Sequence, residues 1–209
     1  RRQRQMCIRD RESQDKETGY EQVAPTVYAL VAAIDAKDSF TFQHSTNVSQ
    51  YAVLLAQKLG LSRDDIQTVK VAGLLHDIGK IGIPESILKK AGKLTNEEYE
   101  IMKSHVEKSI EMIHYLPNMN YVIPAVVSHH ERYDGKGYPR GIKGEEIPFL
   151  GRILAVCDSF DAMISKRAYK EPLSVEYAMG ELEKNKGTQF DPEVADAFIE
   201  LIKEGKVPL

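Results

Sequence analysis

The chain has 209 residues, of which 42% are hydrophobic and 28% are charged, a size and composition that indicate a soluble globular protein with a real hydrophobic core. Its formal net charge of −3 provides no general attraction for nucleic acid or for an anionic membrane surface. We therefore expect neither as a partner, and any anionic substrate must be bound by cations placed locally.

The cysteines and the first residues bear on the compartment and on the domain organisation. Only two cysteines, Cys7 and Cys157, occur, and no segment resembles a signal peptide or approaches the roughly 20 apolar residues of a membrane span. We expect a reducing, cytoplasmic location and no membrane contact by this part of the chain. Because the chain opens with Arg1 in a polar stretch, we expect residues 1–20 to be a linker or tail of a longer polypeptide with an upstream sensor or regulatory domain. Residues 21–209 are expected to form one domain.

The first half of that domain is predicted to be helical. Apolar residues at intervals of three and four indicate an amphipathic helix over residues 21–37, a candidate to transmit a signal from the upstream domain. A second helix is predicted from about residue 43 to residue 59, followed by Gly60. Ser62 with Asp65, and then Thr95 with Glu98, have the spacing of N-terminal capping pairs. They predict helices that continue to about residue 80 and residue 116.

The second half adds four helices and one long loop. The helices are predicted near residues 121–131, 151–166, 174–186 and 191–205, the last with Asp191 as N-cap and Pro192 at its first position. The loop, residues 133–151, is dense in glycine and proline, and a loop of that length is more often functional than not. No segment alternates with the period of a strand. The sequence therefore predicts an all-α helical bundle.

Histidines and carboxylates occur where predicted helices end. The six histidines lie on four predicted helices: His44, His76, His105, His114, His129 and His130. His76 and Lys80 share a helical face, whereas Asp77 reaches the same site only if the helix ends there. Asp158 interrupts an apolar face, where an unpaired charge is costly. Imidazoles and carboxylates without thiolates suit iron, manganese, zinc or magnesium.

Each of these residues also has a structural explanation when taken singly. A histidine near a helix end is usually a cap or a surface residue, which is what we expect of His114. Cys157 is expected in the core, and Tyr138 has the alternative role of an aromatic plug. Asp161, Arg167 and Lys170 have the alternative of a solvated helix surface. Only their joint occurrence favours a metal centre.

Three strings in order carry a resemblance to a known family. LLHDIGKIGIP, SHHERYDGKGYP and DSFDAMISKRAYK, with His44 before them and His105 between, resemble the HD-GYP subgroup of the HD-domain phosphohydrolases, from about Phe40 to Pro192. The resemblance implies an HD-domain helical bundle with a glycine- and proline-rich active-site loop. It also implies a metal centre that hydrolyses the bacterial second messenger cyclic di-GMP, with metal-activated water as the nucleophile.

The resemblance further implies roles for individual residues. Asp77 matches a carboxylate that bridges two metal ions, and the full set of implied ligands is His44, His76, Asp77, His105, His129, His130 and Asp158. Asp77, Lys80 and Asp161 match catalytic positions, with Asp161 orienting either the attacking water or a ligand histidine. The implied substrate-binding residues are Lys80, Gly137, Tyr138, Pro139, Arg167 and Lys170.

Phe40 bears on the number of metal ions and on the product. Some family members carry a glutamate there that holds a third metal, and phenylalanine cannot ligate. We expect two divalent ions per chain, with iron or manganese favoured and zinc, nickel or magnesium as alternatives. The expected product is pGpG, with slower cleavage onward to GMP.

Alternatives to this function are another cyclic dinucleotide or a nucleotide as substrate, or a signalling module with little activity. A homodimer is left open.

Overall fold

The computed structural model describes residues 20–34, 37, 41–166 and 171–209, and within these ranges every regular element is helical. The helices are α1 (residues 20–34), α2 (Thr41–Lys58), α3 (Arg63–Leu75), α4 (Glu85–Leu88), α5 (Asn96–Lys103), α6 (His105–His114), α7 (Ile123–Ser128), α8 (Phe149–Ile164), α9 (Val175–Lys184) and α10 (Pro192–Lys203). Short 3-10 turns lie at Ile78–Gly82, Asn120–Val122 and Gly144–Glu146. The prediction of an all-α fold is confirmed.

The three helix starts that were predicted from N-cap residues are found at those residues. The Ser62 hydroxyl accepts from the Asp65 N–H at 3.1 Å at the start of α3. Thr95 and Glu98 form a reciprocal capping box before α5. The Asp191 carboxylate accepts from the first-turn N–H groups of α10. Each cap satisfies donors that a helix cannot satisfy by itself. None of the helices in the described ranges is long and apolar enough to cross a membrane.

Three predicted helices end earlier than expected, each close to a histidine, and α7 does so at Ser128, before His129, rather than near residue 131. The helix predicted to run to residue 116 is broken at Ser104, whose hydroxyl donates to the Ile101 carbonyl at 2.6 Å. Such a side-chain bond to the preceding turn competes with the helical ladder. His105 therefore begins a new helix, α6. Likewise α3 ends at Leu75, and a 3-10 turn rather than α-helix follows from Ile78.

An aromatic cluster in the core holds the long helices together. Tyr51 of α2, Phe160 of α8 and Phe198 of α10 are all buried, with ring centroids 5.1 to 6.0 Å apart. Their offset and edge-to-face contacts are the favoured geometries for aromatic pairs. This packing sets α2 against α8, so that His44 on α2 lies beside Asp158 and Asp161 on α8.

A close backbone contact places the 3-10 turn against α6. A Cβ atom on Gly79 would lie 2.0 Å from the carbonyl oxygen of His105, so only glycine fits there. The Ser109 hydroxyl accepts from the Gly79 N–H at 2.8 Å and donates to the His76 carbonyl at 3.0 Å. The turn that carries Asp77 is thereby fixed next to His105.

Candidate metal centre

Three histidines are oriented by the same local hydrogen bond. The Nδ1 atoms of His76, His105 and His129 lie 2.8, 2.7 and 2.5 Å from the carbonyl oxygens of Gly73, Met102 and Val126, each three residues earlier. Those carbonyls belong to the last turns of α3, α5 and α7, where helical partners run out. A carbonyl only accepts, so Nδ1 carries the proton. The lone pair of each neutral ring is therefore on Nε2.

The three Nε2 atoms and one carboxylate oxygen are buried without hydrogen-bond partners. They are His76 Nε2, His105 Nε2, His129 Nε2 and Asp77 Oδ1. A buried polar atom left unpaired costs roughly 1–3 kcal/mol. Because four such atoms lie close together, we infer that they bind a common ligand. The donors are imidazoles and a carboxylate, which fits a divalent metal ion.

Asp77 belongs to two groups of ligating atoms. One comprises Asp77, His105, His129 and His130, and the other comprises His44, His76 and Asp77, with the atoms of each group within 4.8 Å of one another. The two oxygens of Asp77 point to different histidines. Oδ1 lies 3.3 Å from His105 Nε2, and Oδ2 lies 3.3 Å from His76 Nε2. This arrangement suits a carboxylate shared by two ions.

Asp158 and Asp161 flank His44 on opposite sides of its ring. The Asp158 Oδ1 atom lies 3.1 Å from His44 Nε2, and Asp161 Oδ2 lies 2.7 Å from His44 Nδ1. Asp161 also accepts from Asn47 Nδ2 at 2.8 Å and from the Ser165 hydroxyl at 3.0 Å, and it is fully buried. Of the two roles expected for Asp161, the geometry favours orientation of a histidine over orientation of water.

Burial and charge set the protonation of these groups in different directions. Burial lowers the pKa values of His105 and His129, and it lowers the pKa of His130 to about 3, so these imidazoles are neutral at pH 7. Burial alone would also lower the pKa of His44, but hydrogen bonds to Asp158 and Asp161 raise it to about 9. Burial tends to raise the pKa of Asp77, yet Lys80 and His76 hold it well below its usual value.

Lys80 places a cation at the edge of the centre. Its Nζ atom lies 2.5 Å from Asp77 Oδ2, and about a fifth of the side chain is exposed. The 3-10 turn makes this an i,i+3 contact, whereas the sequence predicted only that Lys80 shares a helical face with His76. The ammonium group therefore adjoins both the ligands and solvent.

The glycine-rich loop forms the wall beside His130. The Tyr138 ring lies 4.8 Å from the His130 ring, and the bond from Tyr138 to Pro139 is cis. A Cβ atom on Gly137 would lie 2.3 Å from the Arg132 nitrogen, so the loop can fold tightly here only with glycine. Glu131 is buried below the loop, where its Oε1 accepts from the Arg140 N–H at 2.7 Å.

The structure brings most of the predicted site residues together. His44, His76, Asp77, His105, His129, His130 and Asp158 surround one centre, with Lys80, Asp161 and Tyr138 at its edges. His114 is exposed and contacts Asn120 Oδ1 at 2.9 Å, in keeping with its expected surface role. Buried Cys157 has a raised thiol pKa, chiefly through burial, and is no nucleophile. Phe40, Arg167 and Lys170 lie outside the described residues.

Two side chains near the loop were missed in the sequence. Tyr99 and Lys103 of α5 contact Tyr138, and Lys103 Nζ lies 5.7 Å from the Tyr138 ring centroid. Their i,i+4 spacing on a polar helix face was the available signal. That spacing indicates a role at the site only when the loop is known to lie against the helix. The ligand roles inferred for the other residues stay predictions.

Comparison with known proteins identifies related sequences and a related fold. A model of the HD domain family matches residues 29–194. The "Cyclic di-GMP phosphodiesterase" of Thermotoga maritima is 44% identical over 170 residues, which cover 80% of this chain and 46% of that protein. The "3'3'-cGAMP-specific phosphodiesterase 2" of Vibrio cholerae is 39% identical over 176 residues, which cover 83% of this chain and 34% of that protein. The chain thus spans less than half the length of these relatives.

A solved structure supports the same fold. Bd1817, an HDG"Y"P protein from Bdellovibrio bacteriovorus, superposes with a TM-score of 0.64 at 21% identity, over 78% of this chain and 54% of that chain. At this level of identity the likeness concerns the fold.

Proposed function

The chain belongs to the HD domain family, and from that premise we propose that it is a metal-dependent phosphodiesterase that hydrolyses cyclic di-GMP. The observation that carries the proposal is the set of four buried atoms without hydrogen-bond partners, contributed by His76, Asp77, His105 and His129. A site that had lost its catalytic activity would not be expected to keep these four atoms buried and close to one another. The signalling module without catalysis is therefore the weaker reading.

The side chains at the centre are oriented so that they could bind two metal ions. Divalent cations bound there would lower the pKa of water toward neutrality and offset negative charge on phosphoryl oxygens. His76, His105 and His129 present Nε2 lone pairs because their Nδ1 protons are held by backbone carbonyls. Asp77 contributes one oxygen to each side of the centre. We propose His44, His130 and Asp158 as the remaining ligands.

Substrate binding in a protein of net charge −3 requires cations at the site. Lys80 has its ammonium group beside Asp77 and open to solvent, which suits contact with a phosphodiester. We assign phosphate contacts also to Arg167 and Lys170. Gly137, Tyr138 and Pro139 shape the wall of the pocket. Asp161 acts through His44, which it holds by its Nδ1 atom, and is therefore a positioning residue.

Regulation is proposed to reach the site through the first helix. Val27, Val31 and Ile34 of α1 are buried in the core. Farther along, Lys37 Nζ donates to the carbonyls of Ile81 and Ile83 at 2.5 and 2.6 Å, directly after Lys80. A cytoplasmic protein with an upstream regulatory domain could use this contact to alter the turn that carries Lys80.

The test is metal analysis combined with product identification on anaerobically purified protein. We expect two metal equivalents per chain, with iron or manganese favoured, since Phe40 offers no third-metal ligand. A chromatographic time course with cyclic di-GMP should show pGpG first and GMP later and slowly. Three equivalents, or GMP formed without a pGpG phase, would contradict the link between Phe40 and product. Absence of any hydrolysis with metal loaded would contradict the proposal itself.

A second substrate is favoured by one of the relatives. The Vibrio cholerae protein is named for 3'3'-cGAMP, and it is 39% identical to this chain. The same time course should therefore include 3'3'-cGAMP at equal concentration. A higher kcat/KM for the mixed dinucleotide would make it the substrate, whereas the proposed reaction predicts a preference for cyclic di-GMP.

A further inference from the structure

Helix α5 carries two prominent side chains on a face that packs against no core. Tyr99 is 48% exposed, and no residue of α5 is buried. Tyr99 and Lys103 are four residues apart, so they lie one above the other on the helix surface. Packing in the hydrophobic core therefore does not explain the aromatic ring of Tyr99.

These two side chains meet the active-site loop. The rings of Tyr99 and Tyr138 are 6.3 Å apart and nearly perpendicular, with an angle of 81° between their planes. Lys103 Nζ lies 5.3 Å from the Tyr99 ring centroid and 5.7 Å from that of Tyr138. The Tyr138 ring is in turn 4.8 Å from His130. An aromatic corner with one ammonium group therefore extends from the metal centre toward solvent.

The lysine has local partners that hold it in this corner. Its Nζ atom lies 2.6 Å from the Glu100 carboxylate, and about a quarter of the side chain is exposed. A surface ion pair of this kind contributes little to stability. Forming the ion pair restricts the lysine side chain and so costs conformational entropy. A contact between the ammonium group and a bound ligand would help to offset that cost.

The chemistry of the corner matches a purine. Nucleobases stack on exposed aromatic rings, and every base has a π-face that can do so. Lysine donates to the O6 and N7 acceptors of guanine, whereas adenine has an amino donor in place of O6. His130 is a proposed metal ligand and its ring adjoins Tyr138, so a phosphodiester held at the metals would lie on the side of the centre where the corner begins.

We infer that Tyr99 and Lys103, with Tyr138, form a purine subsite in which Tyr99 stacks on a base of the cyclic dinucleotide and Lys103 selects guanine over adenine. The inference rests on the proposed function. Tyr99 supplies affinity and Lys103 supplies specificity, while the metal ligands remain responsible for bond cleavage. Two separate readouts follow from that division.

The affinity role is tested with Tyr99→Ala. Loss of base stacking is expected to raise KM for cyclic di-GMP about 5- to 150-fold, with a much smaller effect on kcat. Tyr99→Phe keeps the ring and is expected to restore the wild-type KM. The matched control is Tyr177→Ala, since Tyr177 is an exposed tyrosine (54%) on α9 and outside the site. Metal content is measured for each variant, and we expect it to equal that of wild type.

The specificity role is tested with Lys103→Met, which keeps the aliphatic stem and removes the donors. The ratio of kcat/KM for cyclic di-GMP to that for cyclic di-AMP is expected to fall about 5- to 150-fold. Lys103→Arg retains donors for O6 and N7 and is expected to preserve the ratio. Lys184→Met, at an exposed lysine on α9, is the control.

The outcomes separate this inference from the proposed function. If wild-type protein loaded with metal hydrolyses no cyclic dinucleotide, the proposed function fails. If the wild type is active while Tyr99→Ala keeps its KM and Lys103→Met keeps its guanine preference, the subsite is overturned and the proposed function stands. Because α5 buries no residue, these substitutions leave the core intact.

Discussion

At the scale of single residues, the candidate centre depends on how each imidazole is held. His76, His105 and His129 follow helix ends, and the Nδ1 atom of each contacts the backbone carbonyl oxygen three residues earlier. The same bond that satisfies the carbonyl selects the Nε2 tautomer and fixes the ring. Outer contacts of this kind raise the basicity of metal-binding histidines and fix their direction. The end of each helix thus also determines the orientation of the candidate ligand that follows it.

Asp77 is the residue whose loss should matter most. Its two oxygens face different histidines, so Asp77→Ala removes a ligand from both halves of the centre at once. We expect the variant to lose both metal ions and all detectable hydrolysis of cyclic di-GMP. Elemental analysis and a turnover assay on the same preparation check this result.

His114→Ala is the control for that experiment. His114 is exposed and contacts only Asn120 among the described residues. The metal content and the turnover of the His114→Ala variant should therefore match those of the wild type. Equal behaviour of the Asp77 and His114 variants, in either direction, would contradict the assignment of ligands.

Much of the site was predictable at this scale, and the remainder has a physical reason. The sequence predicted seven candidate ligands, and the structure brings all seven around one centre, although their binding of metal stays a prediction. Tyr99 and Lys103 were missed because their significance depends on contact with Tyr138, about 40 residues away. A local pattern cannot report a contact that only the tertiary fold creates.

At the scale of secondary structure, helix starts were predicted better than helix ends. Ser62, Thr95 and Asp191 act as N-caps, as their side chains and spacing predicted. The break at Ser104 was not predicted, because the surrounding apolar pattern continues through it. Serine is compatible with a helix interior, but here its hydroxyl donates to the Ile101 carbonyl, a bond that competes with the helical ladder where α5 ends. The resulting turn brings His105 into the centre.

Gly79→Ala tests how closely the 3-10 turn must approach α6. The added Cβ atom would lie 2.0 Å from the His105 carbonyl oxygen and 2.5 Å from the Ser109 nitrogen, both backbone atoms. We expect a loss of about 1–3 kcal/mol in the free energy of unfolding. The displaced turn should also weaken metal binding through Asp77. Denaturant unfolding and metal titration measure the two effects.

Gly180→Ala is the matched substitution on α9. A Cβ atom there would meet no atom within 4 Å, and the position lies inside a helix. Alanine should therefore raise stability by about 0.5–1 kcal/mol and leave metal binding unchanged. A Gly79→Ala variant as stable as Gly180→Ala would show that the close approach is not required.

At the scale of the whole molecule, the all-α fold and the HD-GYP resemblance predicted from sequence are confirmed. Apolar spacing and caps were sufficient for the fold, because long amphipathic helices have a strong periodic pattern. The domain limits and the upstream regulatory part stay predictions. The burial of many titratable groups in one centre has a further consequence for the whole protein, which is a pH-dependent stability.

The sign of that dependence differs among the histidines. His105, His129 and His130 have folded pKa values below the usual 6.5, mainly because burial disfavours the charged form. Their contribution to stability is present above pH 6.5 and is lost as the pH falls. His44 has a folded pKa of about 9, owing to Asp158 and Asp161. Its contribution is present below pH 6.5 and is lost as the pH rises from 6.5 through about 9.

The protein treated with a chelator should therefore be most stable near pH 6.5. Above that pH, the free energy of unfolding is expected to fall by on the order of 1 kcal/mol per pH unit, because unfolding releases the proton that the folded protein keeps on His44; nearer pH 9 the buried Cys157 thiol adds to the fall in the same way. Below it the decline should be steeper, since burial disfavours the protonation of three imidazoles in the folded protein but not in the unfolded chain. Denaturant unfolding at constant ionic strength between pH 5 and 9 measures both limbs. His44→Gln should remove the decline between about pH 6.5 and 8 and keep the acidic limb, whereas the decline nearer pH 9, to which the buried Cys157 thiol contributes, should remain. An unchanged decline between pH 6.5 and 8 in that variant would contradict its assignment to His44.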